Sequence, residues 1–409
     1  MRRILLLTIS ILSIISCDDN EVDKPGAKTA SITFANNSLL KGWVILSDTA
    51  GKVLSTAAVD INASATLEYP ITDTNDKCTL TFIRWREYDN SYFAATYLKI
   101  GPGNYNNKET IITTPITGIH RVEMGNTNVY NITLQTEGVC GIRNAISNPL
   151  QYEIDICGTS SYLYAQFQKG SEVPRYFLKK VEINGSTTLN EALYLTLPPM
   201  KSKPFAVDAN MTGWFVLKGV TPSSSEIIAS LNYFEQNKST ALLYYPELST
   251  FFKGYVTTLS YSRSTNIKIS YNVMQQAAEP SFVFSEIQAS VDKVMLNSGG
   301  KLQLALSGQA QYVKGFLPPY NIIANGKAGN ISWHVYAPFS KTTEINLPQI
   351  PTEVLGGVDL DIARASQFVA IELGEDDETK TYTELYKKLL SGPGILNLKN
   401  GRNKIYNMN

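Results

Sequence analysis

The chain has 409 residues, with 36 basic and 36 acidic side chains and only two histidines. That length exceeds the roughly 250–300 residues at which a single hydrophobic core stops growing, so two or three domains are expected. The balanced charge gives no electrostatic reason to expect nucleic acid as a partner, and two histidines leave little material for a zinc centre or a nucleophile–histidine pair.

Taken in chain order, residues 1–16 have the three parts of an export signal: Arg2 and Arg3, an apolar run from Ile4 to Ile15, and Ser16 before the cut. The run is shorter than the about 20 apolar residues that span a bilayer as a helix. Ile14-Ile15-Ser16-Cys17 resembles the lipobox of bacterial lipoproteins, and the resemblance implies acyl chains on Cys17 that hold the protein on a membrane. Residues 17–30 read as a flexible acidic tether with a Pro25-Gly26 break. Acid directly behind the lipid cysteine also resembles the surface-export signal of Bacteroidota lipoproteins, implying an outer-membrane protein exposed at the cell surface. A plain spacer on a periplasm-facing lipoprotein is the alternative.

Beyond the tether, apolar segments alternate with period two and are rich in β-branched and aromatic residues, as in Cys78 to Trp85 and Leu150 to Ile156. The expected fold class is all-β, with tandem antiparallel β-sandwich domains. Gly42 to Ser47 and Lys52 to Val59 flank Asp48-Thr49-Ala50-Gly51, a hairpin signal. This opening resembles carboxypeptidase-regulatory-like, transthyretin-type sandwiches. Three Tyr-Asn-aliphatic triplets, at Tyr130, Tyr271 and Tyr406, look like closing strands and predict units at 31–135, 137–277 and 279–409. Tryptophan strands at Trp85, Trp214 and Trp333, and the similar Phe93 and Phe368 segments, support that division. Near the C-terminus, Tyr382, Leu385, Tyr386 and Leu389 predict one short amphipathic helix, entered through Glu375 to Glu378 and covering an edge or end of the third sheet.

Chemistry-bearing candidates are few. His334 reads as an exposed strand residue on the face opposite Trp333, and His120 as a loop residue. The carboxylates Asp359, Asp361 and Glu372 read as solvated surface groups. No nucleophile elbow, metalloprotease helix, phosphate loop or dinucleotide fingerprint is present, so no catalytic residue, metal site or cofactor is assigned. With Cys17 given to lipid, Cys78, Cys140 and Cys157 remain; Cys140 and Cys157 are a possible disulfide, and buried free thiols are the alternative.

Aromatic residues crowd the middle of the chain at Tyr233, Phe234, Tyr244, Tyr245, Phe251, Phe252, Tyr255 and Tyr261. Adjacent strand residues point to opposite faces, so one ring of each pair is expected at the surface. Tyr233, Tyr244, Tyr245, Phe251, Phe252 and Tyr255 are therefore the candidate binding residues for a glycan or protein ligand. The reading is a non-enzymatic, lipid-anchored binding protein; a structural or adhesive fimbrillin-like subunit and a carboxylate-dependent glycoside hydrolase are the alternatives.

Overall fold

The computed structural model describes residues 28–38, 40–71, 76–108, 116–125, 130–136, 142–145, 151–158, 160–207, 210–222, 226–234, 240–248, 250–263, 269–296, 302–324, 326–348, 350–351, 353–354, 368–390 and 400–408. The fold is all-β, built from packed, mostly antiparallel sheets with a short helix near the C-terminus. Its strands follow one plan four times.

In the first unit, β1 (Thr29–Asn37), β2 (Lys41–Ser47), β3 (Val53–Val59), β4 (Ala63–Pro70), β5 (Cys78–Arg86), β6 (Ser91–Ile100) and β7 (Gly103–Lys108) form two layers. One is ordered β4-β1-β7 and the other β3-β2-β5-β6, with β7 parallel to β1. Alternation drives Ile32 and Phe34 of β1 inward against Val44, Leu46, Leu80 and Phe82. The expected hairpin joins β2 and β3: the Asp48 carboxylate accepts from the Ala50 and Lys52 amides, and Gly51 takes the positive φ of 91° that the turn needs.

The second unit repeats the plan with β8 (Ile116–Met124), β9 (Tyr130–Thr136), β10 (Ile142–Ala145), β11 (Gln151–Cys157), β12 (Ser160–Lys169), β13 (Arg175–Glu182) and β14 (Ser186–Leu189). Again the seventh strand lies parallel to the first; only β10 differs, pairing with β11. A single helical turn, α1 (Glu191–Thr196), follows, capped by the Asn190 side chain.

In the third unit β15 (Lys201–Ala206) pairs with β18 (Thr240–Tyr245). The other layer holds β16 (Met211–Val220), β17 (Glu226–Phe234), β19 (Gly254–Arg263) and β20 (Ile269–Ala277). The fourth unit has β22 (Leu302–Gly308) paired with β25 (Thr342–Ile345), below β23 (Tyr312–Ala324), β24 (Lys327–Pro338), β26 (Ala370–Asp376) and β27 (Gly401–Asn407).

The seventh position is filled differently in these two units. The chain leaving β20 lays Phe282 and Phe284 on the third core, against Phe215 and Phe205, and then becomes β21 (Ala289–Leu296), which pairs antiparallel with β22 of the fourth unit. One stretch thus closes two sandwiches. Gly308 is required where β21 and β22 meet, because it has a φ of 78° and an added Cβ would lie 1.7 Å from the Gln288 carbonyl oxygen.

The units are not separate. A twelve-stranded sheet runs β17-β16-β19-β20-β27-β26-β23-β24-β6-β5-β2-β3, joining the third, fourth and first units edge to edge. β20 pairs antiparallel with β27, and β24 pairs parallel with β6. The expected boundaries near 136 and 278 therefore do not describe the pairing. Tyr271 and Tyr406 do share a position, the sixth strand of their units, but Tyr130 begins the second strand of its own.

Because the fourth unit's second layer lies under the first unit's outward face, β5 is buried on both sides. Cys78, Leu80 and Phe82 enter the first core, while Ile83 joins Trp333, Val335 and Leu304 in the fourth. The predicted helix, α2 (Tyr382–Leu390), packs elsewhere than expected: Leu385, Tyr386, Leu389 and Leu390 complete the first core, where Tyr386 and Tyr105 share a hydroxyl hydrogen bond of 2.8 Å. Thr381 and Glu384 cap it reciprocally, Thr381 Oγ1 accepting from the Glu384 amide and the Glu384 carboxylate from the Thr381 amide. The acidic run lies at the end of β26 and in the following turn, where Lys388 reaches Asp376 and Glu378, and Arg402 reaches Glu375 and Asp377.

Candidate functional site

The six aromatic candidates do not form one exposed group. Phe252 and Tyr255 are buried in the third core, and Tyr244, Tyr245 and Phe251 are half-buried against it. The physical reason is a second covering layer. Strand β12 lays Tyr162 on Phe251, ring centroids 4.6 Å apart, and Tyr164 donates to the Ala229 carbonyl at 2.5 Å. Tyr245 meets Phe282 from the other side at 5.1 Å. The crowding of rings is the seam between the second and third units.

Only Tyr233 of the six is exposed, at 53 %, and its neighbour is Trp214 at 48 %, with centroids 4.6 Å apart. They sit side by side on β17 and β16, paired in register, with exposed Leu231 next along β17. This side of the third block faces away from its core, so the rings contribute to a surface rather than to packing. Sequence reasoning used Trp214 only as a landmark; its pairing with Tyr233 follows from strand register, which one sequence does not display.

A second concentration of chemistry lies where the first and fourth units join. Alternation puts Lys314 and Phe316 of β23, His334 of β24 and Glu372 of β26 on one face, with Phe93 of β6 and Arg84 of β5 continuing it into the first unit. His334 is half-buried rather than exposed, edge-on to Phe316 at 5.0 Å. Burial first, then the nearby Lys314 and Arg84 charges, pull its pKa down to about 4, so the ring is neutral at physiological pH.

Glu372 is not a surface group: it is 1 % exposed, and one oxygen accepts from the Tyr312 hydroxyl at 2.5 Å and from the Asn403 amide at 3.2 Å. Its other oxygen has no hydrogen-bond partner and stands 3.9 Å from the Lys314 ammonium. Burial raises the Glu372 pKa and lowers that of Lys314, outweighing their attraction across that gap. Lys314 instead lies over the Phe316 and Tyr336 rings, at 4.1 and 5.2 Å.

The remaining candidates are placed simply. His120 is on β8, buried, with Nδ1 2.9 Å from the Glu182 carbonyl and Nε2 3.0 Å from the Thr187 hydroxyl. Cys78 is a free thiol in the first core, where burial pushes its pKa up to about 12 and leaves it unreactive. Cys17, Cys140, Asp359 and Asp361 lie outside the described residues, as does the Cys157 side chain. Among the described residues no cluster of three or more metal-ligating side chains occurs.

No protein-family model and no curated protein matches the chain. Its functional reading therefore rests on its own residues.

Proposed function

We propose that the chain is a non-enzymatic cell-envelope lipoprotein, anchored through Cys17 on the outer membrane and displaying its β-sandwiches at the cell surface to bind a glycan or protein partner. The observation that carries this reading is the outward Trp214–Tyr233 pair with Leu231 beside it. Amphipathic rings outside a core offer apolar contact area together with a polar tip. The lipobox at Ile14 to Cys17 and the acidic residues behind it support the anchor and its exposure.

A structural or adhesive role of the fimbrillin-like kind has one observation in its favour: the fourth unit's first strand is flanked by β21, a strand supplied from the segment that follows the third unit.

The test uses the full chain in a lipoprotein-processing bacterial host. Cys17→Ser is expected to release it from membranes, and intact cells carrying wild type are expected to expose it to external protease. Binding to arrayed glycans or envelope proteins is expected to fall in the Trp214→Ala, Tyr233→Ala double variant with the melting temperature unchanged. Wild type released into the soluble fraction, or ligand binding indifferent to both rings, overturns the reading. Incorporation into polymers on the cell surface selects the adhesive subunit instead.

A further inference from the structure

The Trp214 surface carries more than its two rings. The register of β17, β16 and β19 sets Tyr233, Trp214 and Ser260 in one row across three strands, and Leu231, Val216 and Thr258 in the next. Each row runs from an apolar group on β17, the outermost of these strands, to a hydroxyl on β19. Trp214, Tyr233 and Leu231 are exposed, and Val216, Thr258 and Ser260 are half-buried. The Trp214 indole N–H, the Tyr233 phenol and the Thr258 and Ser260 hydroxyls have no hydrogen-bond partner among the described residues.

Charge is missing from the same patch. Among the described residues, the positions on this face next to Trp214 along β16, and across from it on β17 and β19, carry no acid and no cation. The first charged side chain on this face of β16 is Lys218, two places beyond Val216. Protein interfaces take their steering and register from complementary charge, and an acidic ligand is drawn by cations. Neither device is built here. What the patch offers is an apolar platform beside unsatisfied hydroxyls.

We propose that this platform binds a neutral polysaccharide, with Trp214 and Tyr233 stacked on its sugar rings and Ser260 and Thr258 bonded to its hydroxyls. A pyranose has the matching duality, an apolar C–H face and a rim of hydroxyls that both donate and accept. Stacking covers the C–H face with aromatic surface, and the serine and threonine hydroxyls donate and accept in turn. The proposal rests on the reading of the Trp214 surface as a binding face and adds the chemical class of its ligand.

The full chain is titrated by calorimetry with neutral cello-, manno- and malto-hexasaccharides and with acidic oligogalacturonate. At least one neutral hexasaccharide is expected to bind saturably, with an affinity that added salt leaves unchanged. Trp214→Ala is expected to weaken it at least about tenfold and Ser260→Ala about three- to tenfold. Trp214→Phe, which keeps a stacking ring, is expected to lose less than Trp214→Ala, and unchanged melting temperatures show that each variant is folded. Saccharide binding that survives the Trp214→Ala, Tyr233→Ala double variant, or a preference for oligogalacturonate that salt abolishes, overturns the proposal. So does a protein ligand lost in the double variant while no neutral hexasaccharide binds, and that outcome leaves the binding face itself standing. The absence of any ring-dependent ligand removes both.

Discussion

Trp333 and Trp214 belong to the same twelve-stranded sheet and have opposite fates. Trp333, on β24, is fully buried, and its indole N–H donates to the Thr96 hydroxyl at 2.9 Å, itself 2.7 Å from Thr81. It sits where the first and fourth units share strands and where a second layer covers the sheet. Trp214, on β16, faces away from the third core and is 48 % exposed. The residue type is the same; the number of layers on the sheet decides whether it holds units together or meets a partner.

The sharpest way to break this contrast is to remove each indole. Trp333→Ala is expected to cost about 3–5 kcal/mol, because it leaves a cavity in a shared core and takes from the buried Thr96 hydroxyl the indole N–H that donates to it. Urea unfolding of the full chain checks it, and a loss as small as that of Trp214→Ala sinks the distinction.

Acid tests the same joint more gently. His334 is neutral in the folded chain with a pKa near 4, against about 6.5 when unfolded, so the unfolded state binds the extra proton between those values. Stability is therefore expected to fall as pH drops through that window, by on the order of 3 kcal/mol by its lower end. His334→Gln is expected to flatten that part of the curve of melting temperature against pH. An unchanged slope would show that the ring is not the responsible group.

Helix α2 allows a finer probe, since it belongs to the fourth unit in sequence and to the first in packing. Thr381→Ala removes one half of its cap and is expected to cost about 1 kcal/mol. Hydrogen exchange is expected to quicken in α2 and also in β7, where Tyr105 meets Tyr386. Faster exchange in α2 alone would mean that the helix does not support the first core. The smallest expected effect is that of Trp214→Ala or Tyr233→Ala on folding, within about 0.5 kcal/mol, measured by the same unfolding assay.

Local features of this architecture were legible in the sequence because they depend on neighbours in the chain. The turn at Asp48 to Gly51, the alternation inside β1 and the helix from Tyr382 follow from spacing and turn chemistry. Pairing between distant strands leaves no such trace. Tyr271 and Tyr406 matched because both sit on a sixth strand, whereas Tyr130 matched with no shared position. His334 does alternate with Trp333 as expected, but its burial comes from Lys314, Phe316 and the neighbouring unit. One ring of the Tyr244–Tyr245 pair and one of the Phe251–Phe252 pair was expected outside, and neither pair supplies an exposed ring for the same reason: the rings packed on Phe251 and Tyr245 come from β12 and from the segment after β20. Lys314 and Glu372 face each other only because β23 and β26 are adjacent.

The parallel pairing of β24 with β6 also imposes an order of events on folding. Trp333 meets Thr96 across 237 residues of chain, so the first unit is synthesised long before its sheet neighbour and the helix that completes its core. Closing so long a loop adds only slowly to the equilibrium cost, but contacts this remote slow the search for the native state. Until the fourth unit arrives, β6 presents an unpaired strand edge and the first core an open end, the features through which incompletely folded chains aggregate. An edge that is open during biogenesis is thus an interior seam of the sheet afterwards, and a chaperone that shields β6 would act before any native ligand does.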